Sequence, residues 1–595
     1  QKKIELQTKT DKKPTHSKQI MCRLTFSTRG LNSKRVIHSL AKRAKFAKRP
    51  PSMAESAPQK PSPGPRWWPV AFIFAGLVVA LLIIWNTGSD NRQMQVLRTL
   101  SGLIISAVLL LAWAMVFSRL AKWTRLKILG CVAGGIIVFL GCFRFSQFSG
   151  NMVPIFEWRW AKRDLPTTDT QPTAKPAGQP EAHRLAKLSF PQFLGPSRNC
   201  KVPGPELATD WSANPPTELW RQPIGAAWSG FSITGHRAVT QEQRDENEAT
   251  VCYDIETGRG LWLTENPGHY NTAIAGEGPR ATPTIFENKV FALGAEGILS
   301  CLDLQSGSQV WQRNIAVDAG LATDGPSDQT GASKPRNKSK EWGFSSAPLV
   351  HEGKVIVSAG GKDGKSLIAY AADSGEPVWF GGSSRAGYSS ALTATILGEE
   401  QVLIFNQDGL AAHNPADGAV RWTFEWKAAV PHVSLPLILT DNQLLLSLGY
   451  GNGSKLVELS KDGDQFTTKQ LWHSRRMKAK FTNLIHHNDH VFGLDDGIFA
   501  CMELNRGRPA WKDGRYGHGQ ILLRNNHILV TAEMGDIILL EANPEKHSEL
   551  TRFTALDGKT WNPPALAGEF LLVRNHKEAA CYKLPLATAV TVTAQ

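Results

Sequence analysis

Seven residues stand where successive repeated units of this chain begin: Ser229, Arg280, Trp342, Tyr388, His432, Lys480 and His518. Their types suit ligand binding more than bond-making. Aromatic faces give flat apolar contact, and Arg280 and Lys480 supply charge for an anionic or polar ligand. Trp228, Ser345, Ser389, Asn483 and Gln520 stand beside them at the same unit starts. The same groups would equally well fill or solvate a channel, each satisfied by its neighbours. Arg280 and Trp342 are the pair to test, with ligand binding expected to weaken and thermal stability to stay nearly unchanged on replacement by alanine. No catalytic constellation emerges. The sequence holds no GxxxxGK phosphate loop, and neither HEG at His351 nor HHND at His486 has a zinc-site spacing, so no metal ligands are assigned.

For seven dispersed residues to meet, the chain must bring its unit starts together. A tryptophan closes each unit after a turn signal and an apolar run: Trp220, Trp262, Trp311, Trp379, Trp422, Trp472, Trp511 and Trp561, spaced 39 to 68 residues apart. Each interval reads as short β-rich runs separated by Gly- or Asp-bearing turns. ATPTIFE, KVFALGAEG, ILSCLDL and SGSQVW after Trp262 show the four runs best. Four antiparallel strands per 40 to 50 residues is the pattern of a propeller blade. The expected fold is therefore all-β, an eight-bladed β-propeller over 188–590, with the tryptophans packing between blades. The last blade is expected to close on the strand that carries Trp220, and the unit starts to line a central channel. Cys252, Cys301, Cys501 and Cys581 share one place in the third strand of their units, and read as small buried residues rather than disulfide partners. The polar stretch 318–341 reads as an exposed loop.

Before the repeats come three apolar runs. Residues 67–85 read WWPVAFIFAGLVVALLIIW, 19 uncharged residues that as a helix span roughly 30 Å. Further runs at 100–117 and 128–143 complete an expected membrane anchor over 67–145, with a linker at 146–187. Residues 1–66 carry 17 Lys/Arg against 3 Asp/Glu, a net of +14, which leaves about +1 of the formal +15 for all the rest. The basic character thus belongs to a Pro/Ser-rich tail, read as disordered and cytoplasmic, and not to a nucleic-acid-binding domain. Met53 is an alternative start. Lys/Arg bias puts the tail and the 118–127 linker inside, which predicts an inner (cytoplasmic) membrane, multi-pass protein with its propeller on the periplasmic side. Membrane lipid and proteins docking on a propeller face are the expected partners.

The recurrent D-x-x-[TS]-G-x-x-x-W pattern, as in Asp254–Trp262 and Asp303–Trp311, resembles the repeats of the quinoprotein-like (PQQ-like) β-propeller family. The opening FPQFLGPSRNC (Phe190–Cys200) is similar to the leader of membrane-anchored propellers of planctomycete type. The resemblance implies one of two functions. One is a non-enzymatic binding or scaffold domain, like the outer-membrane assembly lipoprotein of the superfamily. The other is a quinone (PQQ)-dependent alcohol or sugar dehydrogenase. The dehydrogenases imply a vicinal disulfide, a calcium site and an aspartate base. This sequence has no adjacent cysteines, no CxxCH haem attachment and no calcium ligands placeable by motif. The scaffold is the reading taken, with no enzyme activity and no cofactor expected, and PQQ kept as the alternative.

Overall fold

The computed structural model describes residues 64–86, 91–161, 185–272, 274–321 and 341–587. The expected tail and Met53 lie outside these residues, as does most of the 318–341 loop. Helices α1 (Trp68–Asn86), α2 (Arg92–Ala112, continued by one π-helical turn at Trp113–Phe117) and α3 (Lys122–Cys142) come first. All three are long and apolar enough to cross a membrane. α1 and α3 bury no side chain against the rest of the chain. α2 and α3 begin about two turns before their apolar runs. Hydropathy registers only the apolar part of a helix, whereas the backbone ladder continues into Gln93, Gln95 and Lys122. For α2 it is stopped by Asn91, whose side chain accepts the Met94 N–H.

The stretch expected to be linker opens instead with a hairpin. β1 (Phe143–Phe148) leaves α3 without a break and pairs with β2 (Pro154–Trp158) through a turn at Ser149–Val153.

Eight sheets of four antiparallel strands follow, the first widened by Ser189–Phe190. The last blade takes three strands from the C-terminus and its fourth, Thr217–Pro223, from the start of the repeat region, with Cys581 opposite Trp220. Eight blades and this closure are what the tryptophan spacing predicts. The middle strands of a blade are covered on both faces by neighbouring blades and read as continuous apolar runs, as in Ile537–Leu540. The outermost strand is covered on one face only, so in Gln309–Asn314 only Trp311 points inward and buried.

The repeat motif has a mechanical explanation. Asp303 Oδ1 accepts the N–H groups of Gln305 and Ser306, which folds the hairpin turn. Gly307 follows at φ 72°, and a Cβ there would stand 2.6 Å from the indole of Trp262 in the preceding blade. The Trp262 Nε1–H donates to Leu304 O of that same turn, 2.9 Å away. This turn therefore clamps the previous blade's tryptophan between a glycine and a carbonyl. The arrangement recurs at Trp220, Trp311 and Trp472. Trp422 departs from it by donating to the Gln401 side chain.

Candidate functional site

Residues that precede the innermost strands converge on the propeller axis and line one cavity of about 310 Å³. Of the seven residues singled out by sequence, Arg280, Trp342, Tyr388 and Lys480 line it. Trp342 and Tyr388 stack with ring centroids 5.2 Å apart. The other three lie elsewhere. Ser229 is buried in the wall, donating to Gly230 O. His432 is buried with its ring on Phe405 and Nδ1 2.6 Å from Asn406 O, and burial lowers its pKa to about 4. His518 stands at the mouth, 5.8 Å from the ring of Phe481.

Arg280 does not offer a free charge to a ligand. Its guanidinium donates to Trp342 O (2.7 Å), Ala275 O (3.1 Å), Gly276 O (2.8 Å) and Gly278 O, and lies over the Tyr270 ring. It is a clamp that holds residues 275–278 against the start of the next blade. The expectation of unchanged thermal stability therefore does not carry over. Arg280→Ala strands four carbonyls and is expected to cost about 2 kcal/mol, read as a lower unfolding midpoint. Trp342→Ala loses only one stacked face, and a smaller shift is expected.

Both ends of the cavity are met by other parts of the chain. At one end the Phe190–Cys200 segment enters, with Phe193 in the cavity lining. Its Arg198, buried, donates to Ala391 O (2.5 Å), Ala347 O (3.0 Å) and Pro348 O (2.8 Å). At the other end sits the tip of the β1–β2 hairpin, with Phe148, Gly150 and Met152 in the lining.

That tip is held by Lys480 and His518, both named from sequence, together with Lys559 and Glu533, which sequence reasoning missed. Lys559 Nζ donates to Phe148 O at 2.8 Å, and Lys480 Nζ donates to Gly150 O. The Gly150 N–H donates to Glu533 Oε1 at 2.7 Å, while Glu533 also accepts from Trp561 Nε1 and the His518 N–H. Lys559 lies between Trp228 (4.5 Å) and Trp561 (3.9 Å), and Lys480 between Tyr450 (4.6 Å) and Phe481 (5.3 Å). Burial lowers the lysine pKa values, to about 7 for Lys559 and about 8 for Lys480. Burial, together with the Lys480 charge, takes His518 down to about 4. Burial pushes Glu533 upward, but His518 and the N–H groups aimed at it leave it below its ordinary value.

Trp561, counted from sequence with the blade-packing tryptophans, is part of this mouth. Its place in the seventh blade falls to Thr551, opposite Leu539 at the strand bulge. Trp211 from the segment before the repeats packs there instead, on Phe553, its backbone N–H donating to Thr551 Oγ1. A signal for Lys559 existed: Lys480–Asn483 and Lys559–Asn562 share the spacing Lys-x-x-Asn at the starts of the sixth and eighth blades.

No ionisable group of the cavity lining, among the described residues, suits a carboxylate-bearing quinone, since the cations Arg280 and Lys480 are committed to carbonyls. The site therefore keeps at most a weak potential for that cofactor, and its residues support no redox step through it. A weak metal-binding potential lies outside the cavity lining. His351, Glu352 and Glu400 of neighbouring blades approach with ligand atoms within 4.8 Å of one another, a grouping invisible to sequence because Glu400 comes from the next unit.

The family model described as outer membrane protein assembly factor BamB matches residues 204–332 and 327–513. The protein of that name from Burkholderia pseudomallei (strain K96243) is 32% identical over 170 residues, covering 25% of this chain and 44% of the relative, so the chain spans less than half of that relative's length. Among solved structures, BamB from Moraxella catarrhalis is 16% identical with a TM-score of 0.43, covering 62% of this chain and 98% of that one. A europium-containing methanol dehydrogenase is 11% identical with a TM-score of 0.47, covering 66% and 91%. The family match overturns the inner-membrane, multi-pass placement, since the family and the relative are both named for the outer membrane. Hydropathy and charge bias report that a helix can cross a bilayer and which end is drawn to the basic side, but they do not say which bilayer. With the eight blades, the tryptophan clamps and a match that runs over most of the ring, the chain belongs to the family of the outer membrane protein assembly factor BamB.

Proposed function

We propose that this chain is a membrane-associated scaffold whose propeller binds other proteins and catalyses no reaction of its own. One observation carries the reading: the buried ionisable groups at the channel mouth hold protein main chain. Lys559 and Glu533 hold the backbone of residues 148–150, as does Lys480, which also donates to the Gln93 side chain at 2.7 Å. Groups arranged to grip peptide backbone suit recognition of polypeptide. The family name supports the same direction, since the relatives are named as assembly factors. The exposed apolar faces of α1–α3 are proposed to meet lipid. The finer kinship, to membrane-anchored propellers of planctomycete type, is supported by FPQFLGPSRNC and by the three helices ahead of the repeats. The proposed division keeps a tail (1–66), an anchor (67–145), a connecting stretch (146–187) and a propeller (188–590).

The test is direct. Full-length protein incubated with pyrroloquinoline quinone and Ca²⁺ is expected to reduce no dye with any alcohol or sugar. Cross-linking in native membranes is expected to join the propeller to a defined protein. Dye reduction that rises in proportion to bound quinone would end the scaffold reading.

A further inference from the structure

The turn at the channel mouth has the properties of a bound ligand. It is folded by its own bonds: the Ser149 N–H donates to Val153 O and the Met152 N–H to Ser149 O, both at 2.9 Å. The Val153 N–H also reaches Ser149 Oγ at 3.1 Å. The propeller adds no strand to it and reads it mainly through main-chain atoms, at Phe148 O, Gly150 O and Gly150 N. Among the described residues, Asn151 is the one side chain of the tip with a polar contact to the propeller, its Oδ1 3.3 Å from His518 Nε2. At one position the seat demands a residue type. A Cβ on Gly150 would stand 2.1 Å from Cδ2 of His518 and 3.0 Å from Glu533 Oε1, and His518 is too buried to step aside.

The seat is built without help from the turn. The two lysines lie between aromatic faces contributed by the propeller, and Glu533 is fixed by Trp561 and the His518 N–H. With the turn gone, the seat is a polar pit that water can fill. The rest of the hairpin is held through few side chains. Its strands are mostly half-buried or exposed, and its further attachments are Glu157 to His576 (3.4 Å) and Lys577 (2.8 Å) and the buried Gln147, whose Nε2 lies 3.2 Å from His576 Nε2. β1 also continues α3 directly, so movement of the anchor reaches the tip through a single short strand.

We propose that the channel mouth is a binding seat for a glycine-tipped β-turn, occupied here by the chain's own 148–152 turn and taken in exchange by such a turn of a partner protein. The inference rests on the protein-binding reading above and gives it a site, a recognition rule and a closed state. The rule follows from the contacts: glycine at the tip, apolar residues two positions to either side as at Phe148 and Met152, and broad tolerance elsewhere.

The test uses the full chain in lipid nanodiscs and, as probe, a head-to-tail cyclised, fluorescein-labelled peptide of residues 143–158. Wild type, its seat filled, is expected to bind the probe weakly. Gly150→Ala, which expels the chain's own turn, is expected to bind it at least tenfold more tightly. Adding Lys559→Met to Gly150→Ala is expected to abolish the gain, and the probe carrying Gly150→Ala is expected not to bind. Hydrogen exchange on wild type supplies a measurement that needs no variant: saturating probe should speed exchange of the Gly150 amide and leave the blade strands unchanged. Equal binding by wild type and Gly150→Ala, or no change in that amide under saturating probe, overturns the seat. Probe binding in a protein that cross-links to no partner would retain the seat and retire the scaffold reading. A partner cross-linked on another face with no probe binding would do the reverse.

Discussion

Asp495→Asn is expected to lower the stability of the propeller by about 3–5 kcal/mol, the size seen when one partner of a buried ion pair is removed. Asp495 is 1% exposed at the end of the sixth blade's second strand. Its Oδ1 is 3.1 Å from Lys478 Nζ, itself 2% exposed, and its Oδ2 is 2.7 Å from Lys512 Nζ. Oδ1 also accepts the Lys478 N–H at 3.0 Å. Asparagine keeps an acceptor for that N–H but leaves the buried Lys478 ammonium without a counter-charge. Burial alone would push the Asp495 carboxyl up, yet Lys478 and Lys512 hold it below its ordinary value. A depressed folded pKa contributes stability that is complete above the unfolded value of about 4 and lost as pH falls below it. Wild type should therefore show an acid loss that Asp495→Asn lacks. Urea unfolding at pH 7 measures the main effect. The double variant Lys478→Met/Asp495→Leu removes both charges and is expected to recover most of the loss. Wild-type stability in Asp495→Asn would show that the triad contributes nothing net.

The contrast between that triad and the channel mouth shows what sequence can carry. Strand order, blade number and ring closure were legible because they follow from periodic local features: a turn-capping aspartate, a glycine with positive φ, and a tryptophan that needs both. The same regularity misled at Trp561. An indole in roughly the right interval was counted with the series, although Thr551 holds the blade position and Trp211 fills the space beside it. With Trp561 misplaced, Lys559 two residues earlier went unread. Arg280 was visible as a cation near the axis, but its four carbonyl partners come from main chain whose path no residue type announces. The β1–β2 hairpin was readable in principle from the alternation in FRFSQF and the turn SGNM. Its destination was not, because Gly150 meets Lys480 and Glu533 across more than three hundred residues.

The difference in stability between wild type and Lys559→Met is expected to shift by about 3–4 kcal/mol between pH 7 and pH 10, in favour of wild type as pH rises. Lys559 is 2% exposed, and burial lowers its pKa to about 7 from an unfolded value near 10.4. Through that window the unfolded chain binds a proton that the folded chain does not, so folding becomes more favourable with each unit of pH. The neutral amine still has N–H groups to give Phe148 O, and the contact survives the loss of charge. Glu533 draws the pKa upward, and Lys480, His518, Asp496 and Arg515 are further titratable or charged groups around this mouth, His518 being neutral throughout this window. Wild type alone would not show the full rise. Cys200, Cys252, Cys301 and Cys501 are each raised by burial to about 12, and Cys581 is raised too. Those thiols stay protonated in the fold and ionise in the unfolded chain above about pH 8.5, which removes stability there. They are the same in both proteins and cancel in the difference. Guanidinium titrations of the two proteins at half-unit steps measure it, with tryptophan fluorescence as the signal. Parallel pH curves would mean that Lys559 keeps an ordinary pKa in the fold, and that its amine is hydrated at the mouth rather than sealed between Trp228 and Trp561.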